Sequence, residues 1–488
     1  MVLQRDRPMP IWGWAAPNAK VTVSFGETTV ATAAGVEGRW SVTLPAQPAS
    51  KESRTLTAGC DAASIRVADV LVGDVWLCSG QSNMSISVAG FQTPETKQDI
   101  AAADFPLIRH FGCIENFADS PAADVKGQWL ACSPRTAGQF CAVGFYFARK
   151  LHAETGIPIG IVRSAKGSTT IELWVSQEAL LAAPAFGPLA AKMRTSLAEW
   201  ELAKSAALKE GKRPDSPDFP LHPFGEKVRR PRCATLYTGM IAPLAPLALR
   251  GVVWYQGESN ARDPANAAEP YLGMLEALIK SWRQAFSQPA LPFYIVQLPG
   301  YRKDEKLPAG GEPWAVMREW QQKATAIPNA AMAVTIDIGE TDDIHPKNKF
   351  DVGQRLALLA LKREYGKGKL VASGPIFRKM TIEGDKARLE FDETGSGLMI
   401  GCKEGRTPAV EDKAASLQRF AITGADRKWV WADAVIEGNA VVVSSPGMKS
   451  PVAVRYAYSA NPVGANLYNR EGLPAAPFRT DDWVSSGK

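Results

Sequence analysis

Histidine is the scarcest chemistry-bearing side chain in this sequence. There are four in 488 residues: His110, His152, His222 and His345. Any mechanism that needs an imidazole must draw on these four. Cysteine is sparse too. The seven thiols (Cys60, Cys78, Cys113, Cys132, Cys141, Cys233 and Cys402) are odd in number. They include no Cys-x-x-Cys pair and no Cys/His cluster at zinc spacing, which argues against a structural metal. Most lie in apolar runs and read as small buried hydrophobes, with a Cys132–Cys141 disulfide left open. No apolar run reaches the roughly 18 residues of a membrane helix. The opening MVLQRDRPMPIWGW has no apolar core of a signal peptide. Charge of one sign is lacking as well: 56 Lys+Arg against 50 Asp+Glu leave +6, too mild over this length to indicate nucleic acid or an anionic membrane. With 45% apolar and 22% charged residues, global disorder is excluded, and a folded chain of two or three domains is expected.

What is present divides into three kinds of pattern. Residues 1–68 alternate short β-like runs (VTVSFG, TTVATA, RWSVTL, RTLTAG, SIRVAD) with Gly- and Pro-containing turns. Residues 369–488 look alike: KMTIEG, ARLEFD, LQRFAITG, AVIEGNAVVVSS and VAVRYAYS, with EGDKA and EGNAV as tight-turn candidates. Both regions read as scaffold or accessory sandwiches and are expected to pack together. Residues 69–368 instead alternate apolar strands with helical periods at 143–155, 271–286, 314–326 and from about Asp351. That pattern predicts an α/β core around a parallel sheet covered on both faces. Such sheets bind ligands beyond the carboxyl ends of their strands. Here those ends carry Gln81-Ser82-Asn83, Lys166-Gly167-Ser168, Gly257-Glu258-Ser259-Asn260 and Asp342-Asp343-Ile344-His345. Residues 188–232, a charged helix followed by a Pro-rich loop, read as an insertion.

Ser82 follows an apolar strand and Gly80 and precedes a short helix. That turn exposes a serine beside backbone N–H groups able to hold an oxyanion. From position alone, an N-cap serine is as good a reading. The Gly-x-Ser-x-Gly elbow is absent because Met84 takes its last place. A serine nucleophile needs an imidazole base. His152 falls in an amphipathic helix, His222 in the Pro-rich insertion, and His110 after a short apolar run. Only His345 lies in a polar loop after a core strand with carboxylates directly upstream. Asp342, three residues before it, can turn back to orient its ring; solvated turn chemistry is the plainer alternative. Trp174, Trp254 and Tyr255 could stack on a sugar, but aromatics beside strands are more often core.

Three ordered blocks, GQSNM (80–84), WYQGESN (254–260) and DIHPKNK (343–349), resemble the sialate O-acetylesterase family of SGNH-type hydrolases, related to plant and bacterial carbohydrate acetylesterases. The resemblance extends to MVLQRDRPMPIWGW, LYTGMIAPL (236–244) and PVGANLYNREGLPAAPFRTDDW, and so spans nearly the whole chain. It implies a flavodoxin-like three-layer SGNH core with flanking β-sandwich or jelly-roll-like regions. It also implies carbohydrate O-acetylesterase activity through an acetyl-serine, with no metal or organic cofactor. Ser82 is carried over as nucleophile and His345 as base. Asp342 is preferred as the acid, with Asp343 and Glu258 as rivals. Ser82 and Gly167 give backbone oxyanion donors, and Gln256 or Asn260, Gln256 preferred, a side-chain amide. Lys166 and Ser168 depart from the family's Trp-Gly-Gly-Thr stretch. The implied partner is an O-acetylated sugar, sialic acid first and acetylated xylan or xyloglucan second. Nucleic acid and membrane insertion are not expected, and an inactive carbohydrate-binding relative is the competing class. Relatives are commonly secreted, periplasmic or lysosomal, so a trimmed or mis-started chain is expected.

Overall fold

The computed structural model describes residues 1–60, 63–214, 216–223, 233–261, 271–304 and 306–483. The chain divides into two compact units, residues 1–253 with 273–293, and residues 254–272 with 294–488.

The first unit is organised by one long strand, Ala63–Gly80. Its first half is largely exposed and pairs antiparallel with Ser50–Cys60. Its second half is fully buried and pairs in parallel with Ile159–Ala165, from Asp74↔Ile159 to Gly80↔Ala165. Burial follows composition: SIRVAD alternates, whereas VLVGDVWLCSG is a near-continuous apolar run of the kind a two-sided core requires. The sheet then continues from Ile159–Ala165 to Phe105–Gly112 in parallel and to Trp129–Cys132 antiparallel. It is therefore a mixed sheet, not a purely parallel one. All five strand-like segments read between residues 21 and 69 fall in strands. They enclose a core of Val21, Val23, Phe25, Trp40, Leu44 and Val70. Helix Ala142–Thr155 ends on Gly156 in the left-handed region (φ 67°). A Cβ at Gly144 would stand 2.7 Å from the Cys141 sulfur and 3.0 Å from Ile161, so the helix lies tightly against its strand.

In the second unit, strands Phe293–Val296 and Ala330–Ala333 are neighbours, and helices Pro313–Lys323 and Lys349–Glu364 follow them in sequence. The apolar run AMAVTIDIG (331–339) has the composition of a core strand, but the strand ends at Ala333. Asp337, four residues on, is engaged side-on by Arg355 at 2.6 and 2.7 Å, and a Cβ at Gly339 would lie 2.1 Å from the Gly300 carbonyl. Those contacts fix an irregular segment where a ladder would otherwise run. The C-terminal sheets share one core built from Leu389, Phe391, Val441 and Val443 on one side and Phe420, Ile422, Val454 and Tyr456 on the other. Gly384-Asp385 and Gly438-Asn439 make the two-residue hairpin turns anticipated from EGDKA and EGNAV. The described insertion residues include helix Gly187–Lys209, and Trp200 donates to the Pro220 carbonyl at 3.1 Å. Positions 224–232 of the insertion lie outside the described residues.

Arg318, fully buried, ties this unit together. Its guanidinium donates to the carbonyls of Leu298 (2.8 Å), Ser459 (2.7 Å) and Ala460. Burial lowers its pKa to about 9, so it is still charged at neutral pH. Arg318→Met keeps the stem but leaves those carbonyls without their donor. It should cost about 3 kcal/mol or more, read as a fall in the urea midpoint. An unchanged midpoint would deny this role.

Candidate active site

In the first unit, the strand Ala63–Gly80 delivers Gly80 at φ 132°, then Gln81 in extended conformation, then the single turn Ser82–Ser85. Asn83 and Met84 are buried, while Ser82 is half-buried. The Ser82 carbonyl closes the turn by accepting from the Ile86 N–H at 2.9 Å. The neighbouring strand end brings Gly167 against it. A Cβ at Gly167 would lie 3.4 Å from the Ser82 Cβ, at ordinary van der Waals distance. The Gly167 N–H has no acceptor among the described residues. The turn is held by Thr169, whose hydroxyl donates to the Lys166 carbonyl (2.8 Å) and accepts from the Trp174 indole (3.0 Å). Lys166, which departs from the family's aromatic, pairs with Glu115 at 2.6 Å. The block 236–244 packs beside the same strand end. Ser164 donates to the Met240 carbonyl at 3.0 Å, and a Cβ at Gly239 would sit 2.1 Å from the Asn116 carbonyl.

The second unit holds the remaining candidates. Gln256 is fully buried; its Nε2 donates to Asn260 Oδ1 at 2.7 Å, and its Oε1 accepts from the Tyr271 hydroxyl at 2.8 Å. Gln321 donates to the Gln256 carbonyl (3.0 Å) and accepts from the Leu298 N–H (2.8 Å), bridging two strand ends. The carboxamide of Gln256 is thus committed to structure. Because its oxygen is engaged, Asn260 turns its own Nδ2 to the opposite side.

His345 is half-exposed. Asp343, not Asp342, approaches it. Asp343 Oδ1 accepts the His345 main-chain N–H at 2.8 Å and stands 3.6 Å from Nδ1. This is an Asx turn, in which a side chain engages the backbone two residues on. Asp342 is exposed and has no hydrogen bond or ion pair among the described residues. The expectation that Asp342 would fold back assumed a three-residue return. The Asx turn instead takes up Asp343 and directs Asp342 outward.

The other three histidines have structural settings. His110 is buried, stacks on Phe140 at 4.7 Å, and accepts from the Cys141 N–H at 3.3 Å. His152 Nδ1 lies 2.7 Å from the Ile157 carbonyl at the end of its helix. His222 packs edge-on to Trp200 at 4.7 Å, and burial lowers its pKa. Cys132 and Cys141 are both thiols, and Cys141 hydrogen bonds with Cys78. Trp174, Trp254 and Tyr255 are all core.

Sequence reasoning passed over Lys349. It is 1% exposed, donates to the Pro346 carbonyl at 2.7 Å and lies over the Tyr255 ring at 5.5 Å. Burial lowers its pKa to about 7, opposed by the charges of Glu258, Glu340 and Asp343. Glu258 is itself buried. Only its place in the DIHPKNK block marked Lys349; nothing in its chemistry announced burial. Among the described residues no group of three His, Cys, Asp or Glu could hold a metal ion, and no helix is long and apolar enough to cross a membrane.

The family model "Carbohydrate esterase, sialic acid-specific acetylesterase" matches residues 72–207 and 222–362. The chain is 31% identical to sialate O-acetylesterase of Rattus norvegicus, over 98% of this chain and 92% of that one. It is 30% identical to the Mus musculus protein at the same coverage. The chain belongs to this family of carbohydrate esterases. A crystal structure of a carbohydrate acetylesterase from Xanthomonas citri superposes with a TM-score of 0.82 at 39% identity, covering 99% of this chain and 97% of that one. The resemblance carried by the three motif blocks is thereby borne out. As a family member the protein is a carboxylic ester hydrolase, a carbohydrate O-acetylesterase.

For this esterase, Lys349 has a consequence for stability. Its folded pKa of about 7 lies below the ordinary 10.5. Between those values the unfolded chain binds more protons, so this group makes stability rise with pH; below about 7 both states are charged and the slope ends. Lys349→Met removes that slope. Urea unfolding at pH 7, 8.5 and 10 should show wild type gaining stability relative to the variant as pH rises. Parallel curves would refute the lowered pKa of Lys349.

Proposed function

We propose that the protein removes acetyl groups from O-acetylated sugars by a serine mechanism on an SGNH-type, flavodoxin-like core spanning about residues 69–368, flanked by β regions 1–68 and 369–488. Ser82 attacks the ester carbonyl while His345 takes its proton. The N–H groups of Ser82 and Gly167 and one side-chain amide stabilise the tetrahedral oxyanion. His345 then protonates the departing sugar hydroxyl, and water hydrolyses the acetyl-serine. The observation that carries this reading is the Gly167 N–H, without an acceptor among the described residues, on the strand end that neighbours the one delivering Ser82.

Two assignments are refined by geometry. Asp343 is the better candidate for orienting His345, because its carboxylate stands beside Nδ1. Asn260 is the better side-chain oxyanion donor, because Gln256 is spent on holding it. Glu258, buried near Lys349, fits a supporting role.

The substrate proposed first is an O-acetylated sialic acid, from the names of the rat and mouse relatives. An acetylesterase for plant polysaccharides such as acetylated xylan or xyloglucan is the second reading. It accords with the name of the Xanthomonas citri protein, 39% identical, which specifies carbohydrate and no particular sugar. Either substrate fits a periplasmic or secreted setting.

Acetate release from a panel of O-acetylated sialic acids and plant polysaccharides separates the two. Ser82→Ala should lower turnover on an aryl acetate by about 10³-fold or more; comparable turnover would sink the assignment. Asp343→Asn should cost about 10²- to 10⁴-fold and Asp342→Asn less than about twofold. The reverse order would restore Asp342.

A further inference from the structure

The first unit has a concave site whose lining does not include Ser82. It is a hollow of about 290 Å³ whose walls include Trp12, Trp14, Phe111, Trp129, Asp124 and Leu247. Phe111 pairs with Val162, three residues before the carboxyl end of Ile159–Ala165, so the hollow opens on the sheet's flank and not at its catalytic edge.

Its lining joins aliphatic residues such as Val2, Ile11, Leu56 and Val162 to a group of aromatic rings and one carboxylate. Trp12 and Trp14 are two apart in strand Met9–Trp14 and so share one face. Gly13 between them is covered by the Trp40 indole, which a Cβ there would meet at 2.7 Å, so the opposite face of the strand is closed. Trp14 is left 47% exposed. Phe111 and Trp129 lie with ring centroids 5.6 Å apart. Trp174, Trp282 and Trp314 place their indole N–H groups on Thr169, the Trp174 carbonyl and the Pro299 carbonyl. The indoles of Trp12, Trp14 and Trp129 have no acceptor among the described residues. Asp124 Oδ1 accepts the Val125 N–H at 2.8 Å, and its second oxygen has no donor there.

We propose that this hollow is a glycan-anchoring site that takes a pyranose unit of an oligo- or polysaccharide chain. A pyranose has a face of C–H bonds, weakly positive, and an edge of hydroxyls. The first suits the negative face of an indole, the second suits indole N–H donors and a carboxylate acceptor. A purely apolar occupant would leave three donors and a carboxylate oxygen unmatched. The inference rests on the chain being a carbohydrate esterase, but not on which residue is its nucleophile.

The test compares wild type with Trp12→Ala, Trp14→Ala and Trp12→Tyr, each checked by thermal melting. Two substrates are used, an aryl acetate with no sugar and acetylated xyloglucan or xylan. Retardation in gels containing the deacetylated polysaccharide gives binding directly. The alanine variants should raise KM on the polymer about fivefold or more and lose retardation to match, with kcat and aryl acetate kinetics unchanged. Trp12→Tyr should recover most of the effect. Equal KM and equal retardation across the series would overturn the proposal. So would a wild-type dimer in sedimentation that Trp14→Ala dissociates, since the face would then be a contact between copies. Failure of the wild type to release acetate from any glycan would instead defeat the carbohydrate-ester reading itself.

Discussion

The ammonium of Lys349 is out of reach of water, and the loops of its unit are arranged around that fact. A buried charge is tolerated only where the surroundings replace its hydration. Here the replacements come from separate segments: the Pro346 carbonyl, the Tyr255 ring, and the charges of Glu258, Glu340 and Asp343. The block that ends a strand at 254–260 and the block at 343–349 therefore meet on one cation. Neither can shift without exposing or unpairing it. Lys347 extends the same arrangement outward, gripping both oxygens of Glu340 through its main chain and its side chain. The result is a short loop carrying His345 that is held at both ends while the imidazole itself remains half-exposed.

That loop is also tied to the helix behind it. Asn348 caps Lys349–Glu364 by accepting the Asp351 N–H, and one turn further Arg355 engages Asp337 with two hydrogen bonds. Asp337 in turn accepts from Tyr468, a residue of the C-terminal β region. Arg318 makes a second tie to that region through the Ser459 and Ala460 carbonyls. The region reads in sequence as an accessory sandwich. Within its own unit it is also part of what holds the helix beneath His345, so its removal would leave buried charges and carbonyls without partners.

Much of this was legible in sequence where a single local rule governs. Hairpins at EGDKA and EGNAV follow from Gly in left-handed turns, and the buried half of Ala63–Gly80 follows from its unbroken apolar run. The scarcity of histidine isolated His345 because the other three sit in helical, apolar or Pro-rich contexts that foretell structural contacts. Legibility failed where a residue's state is set by distant partners. Asp342 and Asp343 are equivalent in a string of letters; the Asx turn that separates them depends on the backbone at Ile344 and His345. The early end of the strand at Ala333 depends on Arg355, 22 residues on. Nothing in its immediate sequence marks Lys349 as buried, because the Tyr255 ring and the Glu258 carboxylate that meet it come from a distant part of the chain. The division into two discontinuous units is likewise a product of packing that no composition shift marks.

The polar strand end of the second unit shows how buried amides fix one another. Gln256 is held through its carbonyl by Gln321 and Tyr271 and through its side chain by Tyr271 and Asn260. An amide fixed at both its oxygen and its nitrogen cannot flip without breaking bonds in a buried setting, where each loss is felt at full desolvation cost. Asn260 inherits that orientation from it. In the first unit, Gly167 keeps an N–H without an acceptor among the described residues, beside the strand end that delivers Ser82. Under the mechanism proposed above, both would answer one requirement: a hydrogen-bond donor that is already oriented before any ester carbonyl arrives.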